Sequence, residues 1–167
     1  ENTKVIYLQR SQGYSFIPTF SFEDLSTIIQ AIKKEHPSMI IALDNCYGEF
    51  TLPLEPTHLG VDVLAGSLIK NPSGTLAPSG GYVVGREDFI TLISHQLTSP
   101  ALGKEVGGMF GLTRNLLQGL YYSPLFVENA VKTSMLTAQC FETLGYEVFP
   151  KPESNRLDII QAVKLGS

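Results

Sequence analysis

Met39-Ile40-Ile41-Ala42-Leu43-Asp44 is a continuous apolar run closed by a carboxylate, and its reading decides the fold. A short run of this kind is the pattern of a strand covered on both faces, as in a parallel sheet between helices. Upstream, Ser21-Phe22-Glu23-Asp24 has the pattern of a capping box. There a hydroxyl, and a carboxylate three residues later, satisfy free N–H groups at a helix start. Leu25, Ile28, Ile29 and Ile32 follow at helical spacing, and Pro37 ends the run. Lys4-Val5-Ile6-Tyr7-Leu8 reads as an earlier strand. Strand, helix and strand form one βαβ unit, which crosses over right-handed into a parallel sheet. Downstream, strands are expected at 61–65 and 81–84, and helices at 86–96, 105–121 and 124–144. Gly145-Tyr146-Glu147-Val148-Phe149-Pro150 reads as a helix stop followed by a new strand. The expected class is α/β, with a mainly parallel sheet, flanking helices and an appended helical part.

The composition narrows the function. A chain of 167 residues with 43% hydrophobic content can bury a core, which excludes intrinsic disorder. Charged residues make up 17%, against roughly 25% in an average domain, so part of the surface is expected to be covered by something else. A net charge of −4 argues against a nucleic-acid partner. No apolar run approaches the ~18 residues of a spanning helix, so no membrane segment is expected. Cys46 and Cys140 are too few and too far apart for a disulfide framework or a zinc motif, and a cytoplasmic protein is expected. Strand-like sequence follows Glu1-Asn2 almost at once, and ordered-looking sequence continues through Val163. The chain therefore reads as a fragment of a longer protein.

Ligands of open α/β sheets gather beyond the carboxyl ends of the strands. Three such ends carry notable polar residues: Arg10-Ser11, Asp44-Asn45-Cys46-Tyr47 and Ser67-Leu68-Ile69-Lys70. A carboxylate closing an apolar strand, as Asp44 does, is costly to desolvate unless something cationic meets it; a helix cap or turn aspartate is the alternative. Lys70 follows an apolar pair, and partial burial would lower its amine pKa and suit it to Schiff-base chemistry. Taken alone it reads more readily as an ordinary surface lysine. Ser67 could place a hydroxyl on a phosphate, although most turn serines do not. Together, an amine, a carboxylate and a hydroxyl are what pyridoxal 5'-phosphate requires for its aldehyde, ring nitrogen and phosphate.

Asp44-Asn45-Cys46-Tyr47-Gly48-Glu49-Phe50, Gly66-Ser67-Leu68-Ile69-Lys70-Asn71-Pro72 and Ala77-Pro78-Ser79-Gly80-Gly81-Tyr82 closely resemble the aluminium-resistance, methionine gamma-lyase-like family. The likeness extends over nearly the whole chain. It includes Gln9-Arg10-Ser11, Gly103-Lys104-Glu105-Val106-Gly107 and Asp158-Ile159-Ile160-Gln161-Ala162. That family belongs to the fold type I pyridoxal-phosphate enzymes, relatives of cystathionine lyases and aminotransferases. The resemblance implies that residues 1–122 form the later part of a cofactor-binding large domain. Residues 123–167 would form a connecting helix and the start of a small C-terminal domain. It further implies that Lys70 carries the internal aldimine and shuttles protons at the substrate's α- and β-carbons. Asp44 would meet the pyridinium nitrogen, Ser67 the phosphate, and Tyr47 the phenolic oxygen. Arg10 would stand near that same oxygen; a loop arginine paired with a neighbouring carboxylate is its alternative.

Pro78 occupies the position where aminotransferases of this fold place a phosphate-binding arginine, which favours the lyase side of the superfamily. Ile69 stands where cystathionine lyases place a threonine, so one phosphate donor is missing. The expected function is a carbon–sulfur lyase acting on a sulfur amino acid by β- or γ-elimination, in a homodimer or homotetramer whose sites draw on two subunits. Transamination, and a catalytically silent module serving packing or dimerisation, are the alternatives. On either view the isolated fragment is expected to be inactive.

Among weaker candidates, Cys46 reads as packing more readily than as a reactive thiol. His36, His58 and His95 show no metal-ligand spacing. Gly107-Gly108-Met109-Phe110-Gly111 suits close helix packing or an adaptable loop. The stretch 71–81 lacks the Gly-Lys-Ser/Thr ending of a phosphate-cradling Walker loop.

Overall fold

The computed structural model describes residues 2–74, 76–97, 102–105 and 109–166. β1 (Val5–Gln9), α1 (Phe22–Glu35) and β2 (Ile40–Asp44) form the βαβ unit, with β1 and β2 parallel and Leu8 level with Leu43. β3 (Val63–Ser67) adds parallel to β2, and β4 (Gly81–Gly85) closes the sheet antiparallel to β3, giving the order β1-β2-β3-β4. The class is mixed α/β with a parallel-rich sheet. β3 begins two residues later than the sequence suggests, because Asp62 precedes the strand as a buried anchor. Its carboxylate accepts hydrogen bonds from the Ile41 N–H at 2.8 Å, Lys33 Nζ at 2.7 Å and Arg86 Nη1 at 3.1 Å.

α1 begins with the expected box: Ser21 Oγ accepts from the Asp24 N–H at 3.0 Å, and the Asp24 carboxylate accepts from the Ser21 N–H at 2.9 Å. The helix lays Leu25 and Ile29 on Ile41, Leu43 and Leu64 to form the core. The opposite face of β2 is less covered than its apolar run suggests, with Ile40 and Ala42 half-buried. The face of β2 that carries Ile41 and Leu43 is the one that α1 covers.

α2 (Glu87–Leu97) follows β4, and α3 runs from Thr113 to Thr143. α3 corrects two sequence expectations: it starts later than 105, and it passes unbroken through Pro124. A proline inside a helix costs about 3 kcal/mol, and tertiary packing offsets it here. Gly119, Ser123 and Val127 form a buried stripe against the turn at 71–73. The approach is so close that a Cβ on Gly119 would lie 2.0 Å from the Ser73 carbonyl oxygen. The boundary expected at 122/123 lies inside this helix. Val106–Gly108, part of two quoted motifs, lie outside the described residues.

α3 stops as the sequence foretells. Gly145 is left-handed at φ +88, its N–H donates to the Glu142 carbonyl at 2.9 Å, and the Tyr146 N–H donates to the Phe141 carbonyl at 3.0 Å. This is the Schellman arrangement. β5 (Glu147–Phe149) and β6 (Ala162–Lys164) then pair antiparallel. The stretch between them, 150–161, returns to the carboxyl edge of the main sheet.

Candidate active site

The parallel strands deliver their carboxyl ends to one edge, where a cavity of about 410 Å³ opens. Its walls are Ser11-Gln12-Gly13-Tyr14 after β1, Asp44, Cys46 and Tyr47 after β2, and Lys70 after β3. This volume falls within the ~300–1,000 Å³ typical of small-molecule sites. Three of the five residues singled out from the sequence, Asp44, Tyr47 and Lys70, therefore share one cavity.

The two others lie elsewhere. Ser67 is half-buried at the end of β3, level with Gly81 of β4, and accepts a long hydrogen bond from the Lys70 N–H on its carbonyl at 3.4 Å. Arg10 is 1% exposed. Its Nη1 donates to Asn45 Oδ1 at 2.8 Å and to the Gly48 carbonyl at 3.0 Å, with the Glu55 carboxylate 3.9 Å away. Arg10 thus clamps the 44–51 turn from beneath and does not line the cavity. A Cβ on Gly48 would lie 2.7 Å from Arg10 Nη1, so any side chain there would push the guanidinium out of its clamp.

Asp44 faces the cavity with both oxygens already engaged. Oδ1 accepts from the Cys46 N–H at 2.9 Å, and Oδ2 accepts from the Tyr7 hydroxyl at 3.2 Å. These donors fix the plane of the carboxylate. Tyr47 has φ +71, a left-handed backbone that costs a non-glycine residue on the order of 1–3 kcal/mol. Two donors hold it there: Asn71 Nδ2 at 3.1 Å and the Ile159 N–H at 3.2 Å both reach the Tyr47 carbonyl. Asn71 Nδ2 also donates to the Glu49 carbonyl at 3.0 Å, tying the aspartate turn to the lysine turn. The result sets Lys70 Nζ over the Tyr47 ring, 4.1 Å from its centroid.

The electrostatics of Lys70 overturn one expectation. Burial pulls its ammonium down, but the neighbouring Tyr47 hydroxyl and Cys46 thiol outweigh it, and the pKa lies above the ordinary lysine value. Partial burial alone does not set the amine; the Tyr47 oxygen and Cys46 sulfur that accept from the ammonium do. The Cys46 thiol is in turn pushed up by burial and by Asp44, so it stays protonated at neutral pH.

Under this turn lies a polar layer that the sequence did not disclose. The Glu49 carboxyl accepts from the Tyr82 hydroxyl at 2.8 Å, and Asn45 Nδ2 donates to Glu55 at 2.8 Å. Burial pushes Glu49 up to about 7, against the opposing pull of Tyr82. The Tyr82 hydroxyl is itself driven upward by burial and then by Glu49. A Cβ on Gly66 would sit 2.5 Å from the Tyr82 hydroxyl, so this glycine makes room for the pair. Asp158, Asn71 and Glu49 stand inside the quoted family-like stretches, but polar residues there carry no periodicity that would have marked them as buried.

A carboxylate, an amine and a phenol thus meet around one cavity at the carboxyl edge of a parallel-rich α/β sheet. A family model described as methionine gamma-lyase matches residues 1–167, and the chain belongs to that family. The protein YnbB of Bacillus subtilis (strain 168) is 42% identical over 164 residues, covering 98% of this chain and 39% of that protein. A Clostridium novyi NT structure described as a carbon-sulfur lyase involved in aluminum resistance is 40% identical with a TM-score of 0.92, over 98% of this chain and 38% of that one. The chain thus spans about two-fifths of the length of these relatives. The fold alone extends to an aspartate aminotransferase from Thermus thermophilus, 16% identical with a TM-score of 0.61 over 98% of this chain and 48% of that one. Among the described residues, no helix is long and apolar enough to cross a membrane.

Proposed function

We propose that this chain carries the lysine side of a pyridoxal 5'-phosphate site in a carbon–sulfur lyase that acts on a sulfur amino acid. The supporting observation is the convergence of Asp44, Tyr47 and Lys70 on one cavity from two different strand ends. The donor set fits the group: a primary amine for an aldehyde, a fixed carboxylate for a protonated ring nitrogen, and a phenol for a phenolic oxygen. When bound, the cofactor supplies the electron sink that makes the substrate's α-hydrogen acidic.

Lys70 Nζ would hold the cofactor's aldehyde and would serve as the base that takes the substrate's α-proton and delivers it to a neighbouring carbon. Asp44, its plane set by Cys46 and Tyr7, would keep the proton on the ring nitrogen. Tyr47 would donate from its hydroxyl to the phenolic oxygen; Ser67, at the end of β3 outside the cavity lining, would serve only a phosphate that reaches past that lining. Arg10 would act from beneath, holding the aspartate turn in shape. In this reading residues 1–122 belong to the cofactor-binding large domain, and 123–167 form the connecting helix and the start of the small domain. The intact protein works as a homodimer or homotetramer; α3 leaves Leu117, Tyr121 and Leu125 exposed for such packing. The products would be a thiol, ammonia and a 2-oxo acid.

The test is an absorbance spectrum of the intact protein with pyridoxal phosphate, before and after borohydride, beside Lys70→Ala. A near-visible band, fixed by borohydride onto the Lys70 peptide and missing from the variant, is expected. Capture should quicken as pH rises above neutrality, since the raised lysine must first lose its proton. Spectra of free cofactor alone from both proteins would sink the reading. Thiol and ammonia release without an amino acceptor would separate elimination from transamination.

A further inference from the structure

Asp158 is 2% exposed, lies outside the cavity and has no part in the chemistry described above. Every polar contact recorded for its carboxylate is a donor. Oδ2 accepts from Ser11 Oγ at 2.9 Å and from Thr19 Oγ1, while Oδ1 accepts from the Ile160 N–H at 2.8 Å. A hydroxyl has one proton to donate. Because Ser11 and Thr19 direct theirs to Asp158, their lone pairs are left for backbone donors. The Gly13 N–H donates to Ser11 Oγ at 3.3 Å, and the Gln12 N–H donates to Thr19 Oγ1 at 3.2 Å. The carboxylate therefore sets the hydroxyls, and the hydroxyls set the backbone of 11–14, the wall that shares the cavity with Lys70.

The residues flanking Asp158 grip the other wall. Thr51 Oγ1 donates to the Leu157 carbonyl at 3.1 Å, and the Ile159 N–H donates to the Tyr47 carbonyl at 3.2 Å. One short segment thus fastens the loop after β1 and the loop after β2, although it arrives from the far side of α3, more than a hundred residues downstream.

We propose that Asp158 is a positioning residue for the cofactor site, fixing the 11–14 loop so that the cavity facing Lys70 has its working shape. The role rests on the reading of Lys70 given above, and it concerns a residue remote from the cofactor's reactive atoms. It explains the need for a carboxylate. Asparagine at 158 could keep Oδ1 on the Ile160 N–H only by turning Nδ2 toward Ser11 and Thr19, whose hydroxyls would then accept and lose the acceptor for their own protons. A small hydrophobe would leave the Ser11 and Thr19 hydroxyls buried without an acceptor.

The test compares wild type, Asp158→Ala, Asp158→Asn and Thr19→Val in the intact protein. Two readouts are the dissociation constant for pyridoxal phosphate and amide exchange at Gln12 and Gly13. Both are taken at a temperature where circular dichroism shows every cofactor-free variant fully folded. Asp158→Ala is expected to weaken retention by about tenfold or more and to speed exchange in the loop. Asp158→Asn, which takes the acceptor from both hydroxyls, should change in the same direction, and Thr19→Val, which removes one donor to Asp158 and the acceptor of the Gln12 N–H, should show a smaller change. If Asp158→Ala does not fold, Thr19→Val and Asp158→Asn carry the comparison. Unchanged retention in folded variants overturns the proposal, as does a loosened loop with wild-type affinity. Failure of the wild type to capture the cofactor on Lys70 would instead remove the reading on which the role depends, and the role with it.

Discussion

The middle of β2 and the turn just past its carboxyl end are buried to the same degree by opposite means. Toward its middle, Ile41 and Leu43 meet Leu25, Ile29 and Leu64. Just past its carboxyl end, Asn45 and Glu49 are as deeply buried, against Arg10, Glu55 and Tyr82. Apolar burial is indifferent to which hydrocarbon lies opposite, so that side of the strand depends on volume. Polar burial requires a partner for each atom, and the fit is incomplete: Arg10 Nε and Nη2 and Glu49 Oε2 have none. One region is therefore governed by packing and the other by protonation. Substitutions can set the two against each other.

The largest effect is expected in the apolar region. Leu43→Ala removes a fully buried side chain and should cost about 2–5 kcal/mol. The loss, read from urea unfolding, should be nearly the same at pH 5.5 and pH 8, since Tyr82, which packs against this cluster, is pushed upward from the ordinary tyrosine value by burial and stays protonated across that range. A loss that varied strongly with pH would mean that core and polar layer are not separable.

Glu49→Gln probes the other region. Glu49 titrates at about 7 in the folded chain, above its unfolded value, because burial disfavours the charged form. Its contribution is fully present below the unfolded pKa of about 4.3 and is lost as pH rises through 7. Stability of the wild type should therefore fall between pH 5 and pH 8 by an amount on the order of 2–3 kcal/mol. Glu49→Gln, which can still accept from Tyr82, should flatten that slope and leave the variant relatively more stable at pH 8. An unchanged slope would show that Glu49 is ionised throughout, held by Arg10.

The same contrast governs what could be read in advance. The βαβ unit was legible because hydrophobic period and capping chemistry coincide in 21–44. Asp44, Tyr47 and Lys70 were legible as candidates because polar residues closing apolar strands are conspicuous. Helix α3 was misread at Pro124, where the local penalty is offset by a glycine–serine stripe meeting a turn fifty residues earlier, and no local pattern reports such a meeting. Lys70 was misjudged in charge because the Tyr47 and Cys46 groups that act on it come from another strand end. Asp158 escaped for a similar reason: its partners, Ser11 and Thr19, lie at the opposite end of the chain.

The smallest effect tests whether stability and site geometry can be uncoupled. Ser21→Ala deletes the cap of α1, whose hydroxyl accepts from the Asp24 N–H, and should cost about 1 kcal/mol. The cap is exposed and lies on the apolar side of the division, ahead of the helix that covers Ile41 and Leu43. Retention of pyridoxal phosphate, measured well below the melting transition, should therefore match wild type. Asp158→Ala is expected to weaken retention even where the protein is fully folded. If Ser21→Ala lowered retention as well, Asp158 would need no special role: any loosening of the βαβ unit would open the cavity, and the carboxyl edge would simply follow the core. If retention held, the wall of the cavity depends on the segment that carries Asp158, and the core supplies only the platform beneath it.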